Sequence, residues 1–281
     1  MKLKSKKFDE ERALYGVNGY ELTDCVFDGE RDGESQLKES QNIILNNCVF
    51  RLRYPLWHTE NIEIYHSIMN ENCRAAMWYV NHLKINDGKL LGIKAIRECR
   101  NIEIVNSTVD SMEFAWKCNH MNIRDCSIIS QYPFFENQNL EIDHVIMTGK
   151  YSFQYVKNAV IRNSFLDTKD AFWHSENVIV YDSTVKGEYL GWYAKNLKFV
   201  RCKIIGTQPL CYCENLILED CTMEDTDLAF ELSEVNAKIL NTIESVKNPV
   251  KGTIIAESIK QIIFDNKKVL PKNTMIKLTN R

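Results

Sequence analysis

No long apolar run, no secretory leader and no excess of either charge marks this chain, and each absence removes a class of protein. Nothing approaches the run of about eighteen apolar residues that a membrane-spanning helix needs. The opening stretch, MKLKSKKFDEERALY, carries positive charge but no apolar segment behind it, so it does not read as an export signal. Lys and Arg number 35 against 38 Asp and Glu, a net charge of −3 over 281 residues. That balance supplies neither a basic field for nucleic acid nor an acidic solvating tail. Zinc-type pairs are missing too. Cys211 and Cys213 form a C-x-C with no second pair or His at ligand spacing, so no metal is expected. No cofactor is expected either.

What is present is a repeat. FQYVKNAVIRNSFLDTKDA from Phe153, FWHSENVIVYDSTVKGEYL from Phe172 and GWYAKNLKFVRCKIIGTQP from Gly191 are three successive versions of one nineteen-residue unit. Taking the Asn at the sixth place as zero gives the anchors Gly19, Asn42, Asn61, His82, Asn101, His120, Asn139, Asn158, Asn177, Asn196, Asn215 and Asn236. Places +1 and +3 are apolar, as in Ile62 and Ile64, which is the period of a strand with one face inward. Place +5 is mostly Asn or Asp, residues that tolerate left-handed backbone and make turns. Place +6 is small, and place +8 is apolar again. A third inward place lies five before the anchor (Leu56, Met77, Phe134, Phe172), and Pro55, Pro133 and Pro209 mark the corner before it.

Three short strands and three corners per unit predict an all-β fold, a single-stranded right-handed parallel β-helix. Stacked at about 4.8 Å, twelve coils would extend about 60 Å, each completing its neighbour's core. A leucine-rich repeat shares part of the spacing, but nineteen is short for it and no helical pattern fills the rest of the unit. A left-handed β-helix wants a six-residue period, which is absent, and right-handed crossovers are the general rule. The domain reading is a cap at 1–13, coils over 14–246 and capping strands over 247–281, one domain in all. After Val246 the repeat dissolves into alternating apolar residues.

Eight of the ten cysteines occupy small inward places: Cys25, Cys48, Cys126, Cys202 and Cys221 at +6, and Cys99, Cys118 and Cys213 two before the anchor. They read as free core thiols. So many unpaired thiols suit a reducing compartment, and a cytoplasmic location is expected.

The candidate site is a column of outward side chains four before the anchor: Tyr15, Lys38, Trp57, Trp78, Arg97, Trp116, Phe135, Gln154, Trp173, Trp192, Cys211 and Phe230. It holds all five tryptophans of the chain. The next column, three before the anchor, adds Glu39, His58, Tyr79, Glu98, Lys117, Glu136, Tyr155, His174, Tyr193, Tyr212 and Glu231, and Tyr189 lies across the corner. Burial of the tryptophans is the opposing reading, but Lys38 and Arg97 in the same column speak against it. An exposed aromatic stripe marks a contact. The expected ligand-binding residues are Lys38, Trp57, Trp78, Arg97, Trp116, Trp173, Tyr189 and Trp192. The expected ligand is a carbohydrate or another small polar molecule, to be bound or processed. The alternative is a non-enzymatic scaffold that uses the stripe for protein contact or homo-oligomer formation. Neither nucleic acid nor membrane is an expected partner. Glu39, Glu98, Glu136 and Asp170 share that side, yet no carboxylate pair is singled out by spacing, so no catalytic residue is named. His66 and His144 read as turn residues.

Several islands in order, ERALYG at 11–16, LKES at 37–40, YPLW at 54–57, KDAFWHSENV at 169–178, GEYLGWYAKNL at 187–197 and SVKNP at 245–249, resemble the bacterial family called domain of unknown function 3737. The resemblance spans nearly the whole chain. It implies a cytoplasmic bacterial protein with a pectin-lyase-like single-stranded right-handed β-helix. It implies no established activity and no catalytic residues to carry over.

Overall fold

The computed structural model describes residues 1–29 and 34–280. The fold is an all-β parallel solenoid, and the chain forms two compact units, Met1–Glu141 and Ile142–Arg281.

In unit one, four consecutive coils each contribute a six-residue strand that opens at the residue before the anchor, and the next coil runs on as the twelve-residue Asn119–Ser130. Gln41–Asn46, Glu60–Tyr65, Asn81–Asn86 and Arg100–Val105 lie side by side in parallel register. Ile43, Ile62, Leu83 and Ile102 therefore stand directly above one another, with Leu45, Ile64, Ile85 and Ile104 beside them, and all are buried. A short strand follows at places +7 and +8, as in Val49–Phe50 and Ile68–Met69. Unit two repeats the arrangement with Lys157–Arg162, Glu176–Tyr181 and Lys195–Val200. Aromatic rings stack inside each core, Phe27 on Phe50 at 4.4 Å and Phe153 on Phe172 at 4.9 Å between centroids.

The turn at +5 forms as its residue types require. Asp24, Asn47, Asp87, Asn106, Asn163 and Asp182 all have positive φ, and so do His66 and His144. The anchors are left-handed as well, except Asn236. A left-handed Asn is the cheapest non-glycine choice, because its short amide bonds locally. Here the amides also bond each other. Asn61 Nδ2 donates to Asn42 Oδ1 at 3.0 Å in unit one; Asn196 to Asn177 at 2.8 Å and Asn215 to Asn196 at 2.9 Å continue the pattern in unit two.

The small place +6 has a second purpose. Its side chain accepts the backbone N–H of the preceding coil, as Ser67 does from Cys48 (2.9 Å), Ser107 from Gly88 (3.0 Å) and Ser183 from Ser164 (3.0 Å). A buried N–H must find a partner, and only Ser, Thr or Cys is both small enough and able to accept.

The third side of the coil differs from expectation. Short strands occur there at Met77–Trp78 and Ile96–Arg97, but most coils pass through turns instead. Tyr54, Leu56 and His58 have φ of 59°, 60° and 55°, and the same alternation recurs at Tyr151, Phe153 and Tyr155. Alternating left-handed residues turn side chains in pairs. Pro55 and Leu56 point inward, and Trp57 and His58 outward. A strand would alternate them singly.

Stacking also continues beyond the twelve coils read from the sequence. Lys2–Lys4 and Lys7–Phe8 pair parallel with Asn18–Thr23 and Val26–Phe27. Past Val246, Lys251–Ala256 pairs with Glu234–Ile239, and Thr274–Leu278 pairs with Lys251–Ala256. The repeat there shortens to seventeen residues, Glu234 standing beside Lys251, which is why the nineteen-residue period fades while the coils do not.

Candidate functional site

The residues four before the anchor face outward and are half-buried: Lys38, Trp57, Trp78, Arg97 and Trp116 in unit one, Gln154, Trp173 and Trp192 in unit two. Their length and chemistry answer a backbone need. The corner seven before the next anchor, left-handed at Ala75, Lys94, Asp170, Tyr189 and Gln208, leaves a carbonyl turned outward, and the indole N–H reaches across to it. Trp57 Nε1 donates to Ala75 O at 2.6 Å, Trp78 to Lys94 O at 2.9 Å and Trp116 to Tyr132 O at 2.7 Å. In unit two Trp173 donates to Tyr189 O at 2.6 Å and Trp192 to Gln208 O at 3.0 Å, while Gln154 Nε2 reaches Asp170 O at 3.3 Å. All five indoles are thus staples between coils.

Two members of the expected column are not outward at all. Phe230 is fully buried, because left-handed Leu228, Phe230 and Leu232 mark the last coil's register and put Phe230 on the inward place. Cys211 is buried as well. Its short side chain keeps the thiol against the carbonyls of Pro209 and Leu228, 3.7 Å from each.

The exposed surface is made by stacked rings. Trp57 and Trp78 lie 5.0 Å apart with 5° between planes, and Arg97 continues the stack, 5.0 Å from the Trp78 centroid and 5.6 Å from that of Trp116. Trp173 and Trp192 stack at 5.4 Å and 6°. The outer column of unit two is a continuous pile: Tyr155 on His174 at 5.0 Å, His174 on Tyr193 at 5.1 Å, Tyr193 on Tyr212 at 4.9 Å. Parallel rings this close cannot lie side by side in one plane. They overlap, turning faces toward each other and edges toward solvent. Tyr189 adds its edge to Trp192 at 5.4 Å, with the Lys169 ammonium 5.3 Å from the Tyr189 centroid.

Asp170, one of the carboxylates on this side, is only 6 % exposed. Burial raises its pKa above the ordinary aspartate range; nearby Glu188 adds to the rise, and Lys169 and Lys150 oppose it. Lys169 is itself paired to Glu188 at 2.6 Å. All ten cysteines are buried free thiols. Burial pushes Cys48, Cys211 and Cys213 up to about 12, so they are packing residues rather than nucleophiles. Among the described residues no group of three or more His, Cys, Asp or Glu is placed to hold a metal ion.

Residues 1–277 match the family described as Protein of unknown function (DUF3737). The chain belongs to that family. No curated protein matches it significantly. Among solved structures it is similar to HetL, a pentapeptide repeat protein of the cyanobacterium Nostoc, at 13 % identity and a TM-score of 0.24, over 82 % of this chain and 88 % of that one. The A-module of the Azotobacter vinelandii mannuronan C-5 epimerase AlgE4 is 12 % identical with a TM-score of 0.34, over 85 % and 80 %. Likeness at this level concerns repetitive β architecture and carries no functional argument for the DUF3737 chain.

Proposed function

We propose that this protein is a non-enzymatic scaffold that associates with a second copy of itself through the outer columns of unit two. The observation that carries this reading is a charge pattern beside the aromatic pile. Lys157, Glu176, Lys195 and Glu214 occupy one place on four consecutive coils, in register, and alternate in sign. Within the chain they pair at 3.4 Å (Lys157 with Glu176) and 3.0 Å (Lys195 with Glu214).

A ridge repeating every coil is matched best by a surface of the same pitch, and an identical chain offers one. Isologous contact about a two-fold axis runs the two columns antiparallel. Centred between His174 and Tyr193, it sets Lys157 against Glu214 of the second copy and Glu176 against Lys195. The pattern is its own complement. The same axis brings the pile Tyr155, His174, Tyr193, Tyr212 onto itself, with Tyr155 and Tyr193 each 45 % exposed. Tyrosine and tryptophan are the side chains that dominate protein interfaces.

Ring orientation favours this over a carbohydrate ligand for Trp57, Trp78, Trp116, Trp173 and Trp192. A sugar stacks on an open ring face, whereas these faces are turned to neighbours and their N–H groups are spent on the backbone. Sedimentation equilibrium tests the reading by charge swap. The wild type is expected to dimerise, Lys195→Glu to dissociate by facing Glu176 of the other copy, and the double variant Glu176→Lys/Lys195→Glu to restore the dimer. A wild type that stays monomeric, or whose tryptophan fluorescence is quenched by glycans, overturns it.

A further inference from the structure

Of the described arginines of unit one, Arg12, Arg51, Arg53, Arg97 and Arg124 each face a carboxylate. Arg74 and Arg100 do not, and Arg100 stands in a groove. Its volume is about 680 Å³, and Tyr79, Asn81, Glu98, Arg100, Asn101 and Lys117 line it. That is within the usual range for small-molecule sites, about 300–1,000 Å³.

The coil geometry explains how these side chains meet. Asn81 and Arg100 are neighbours in register on adjacent strands. Tyr79, Glu98 and Lys117 come from the left-handed place two residues earlier on three successive coils. Tyr79 is fixed by stacking on His58, 4.6 Å between centroids, so its hydroxyl is held in place beside the groove. Asn81 accepts from Asn101 through its Oδ1 at 3.0 Å, which fixes the amide and leaves its NH₂ group as a donor.

Charge in the groove is unbalanced in one direction. Glu98 is engaged by Arg97 Nε at 3.3 Å, and Lys117 is held loosely by Glu136 at 3.7 Å. The guanidinium of Arg100 has no such partner, and all five of its N–H donors are available. A planar fork with an ammonium, a phenol and an amide NH₂ on the same groove is a donor set suited to oxygen anions.

We propose that this groove binds a small organic oxyanion, a carboxylate or phosphate group on a compact polar molecule, with Arg100 making the bidentate contact. The site lies in unit one and does not depend on self-association through unit two.

The test is a titration of the full chain with succinate and, separately, with inorganic phosphate, followed by calorimetry and by amide NMR shifts. Saturable binding of at least one probe is expected, with shifts at Tyr79, Asn81 and Asn101, and the tighter probe identifies the anion. Arg100→Gln is expected to weaken binding about tenfold or more at an unchanged melting temperature, since the side chain holds no structural bond. Arg74→Gln, which removes the other unpartnered arginine from outside this groove, is expected to bind as the wild type does. Absence of saturation by both probes overturns the proposal. So does an Arg100→Gln variant that binds as tightly as the wild type, or an Arg74→Gln variant that loses as much.

Discussion

At the scale of single residues, the side chains that looked most functional turn out to have a structural task. Trp78 spans a corner and gives its N–H to Lys94 O at 2.9 Å while lying against Trp57 and Arg97. Trp78→Phe keeps a ring in the stack but orphans that carbonyl. Urea unfolding should show a loss of about 1 kcal/mol, and a change indistinguishable from zero would remove the staple role. Asp170 gives a pH signature. Its pKa is raised by burial, so the native state holds the proton more tightly than the unfolded chain. Stability from this group is therefore fully present below the ordinary value of about 3.9 and declines as pH rises through the raised one. Asp170→Asn should raise the melting temperature at neutral pH and flatten its dependence over that window. An unchanged pH profile would contradict the assignment.

Among the elements of a coil, the left-handed corners decide what sequence is tolerated. A left-handed conformation costs an L-residue about 1–2 kcal/mol, less for Asn, and each coil holds several. Gly187 shows the limit. At φ 151° a Cβ there would come within 1.6 Å of Thr168 O, so no other residue fits without moving the chain. Asn196 is strained at φ 52° and holds two amide bonds of the ladder. Asn196→Ala loses the bonds and keeps the strain, whereas Asn196→Gly loses the bonds and relieves it. Thermal melts should therefore place the Gly variant above the Ala variant by about 1 kcal/mol. The reverse order would mean that left-handed strain at this place does not decide which residues are tolerated.

Over the whole molecule, coils contact mainly their neighbours, so stability is a sum of coil and interface terms. Ile104 and Ile123 stand in register and are both buried. Ile123→Asp puts a charge into that ladder with nothing to pair it, and a cooperative loss of the β signal in circular dichroism is expected from unit one. A soluble variant with wild-type melting would refute the register. No helix among the described residues is long and apolar enough to cross a membrane.

The sequence by itself determined most of which places face in and which face out, because burial in a stacked coil depends mainly on the place within the repeat. Ile62, Ile64, Met69 and Leu56 were legible on that ground, as were the turns at Asp87 and Asn106 and the eight buried cysteines at places +6 and two before the anchor. Misreading came where the count slipped, at Phe230, and where a short side chain defeated an outward place, at Cys211. What only the tertiary structure decided lies between coils. Ring planes, the indole bonds to the coil ahead, the asparagine ladder and the groove at Arg100 all depend on residues about nineteen apart meeting side by side. A one-dimensional pattern gives their spacing but not their directions. Arg100 lies beside Asn81 in the sheet, and its significance is that Glu98, the carboxylate lining its groove, is already engaged by Arg97.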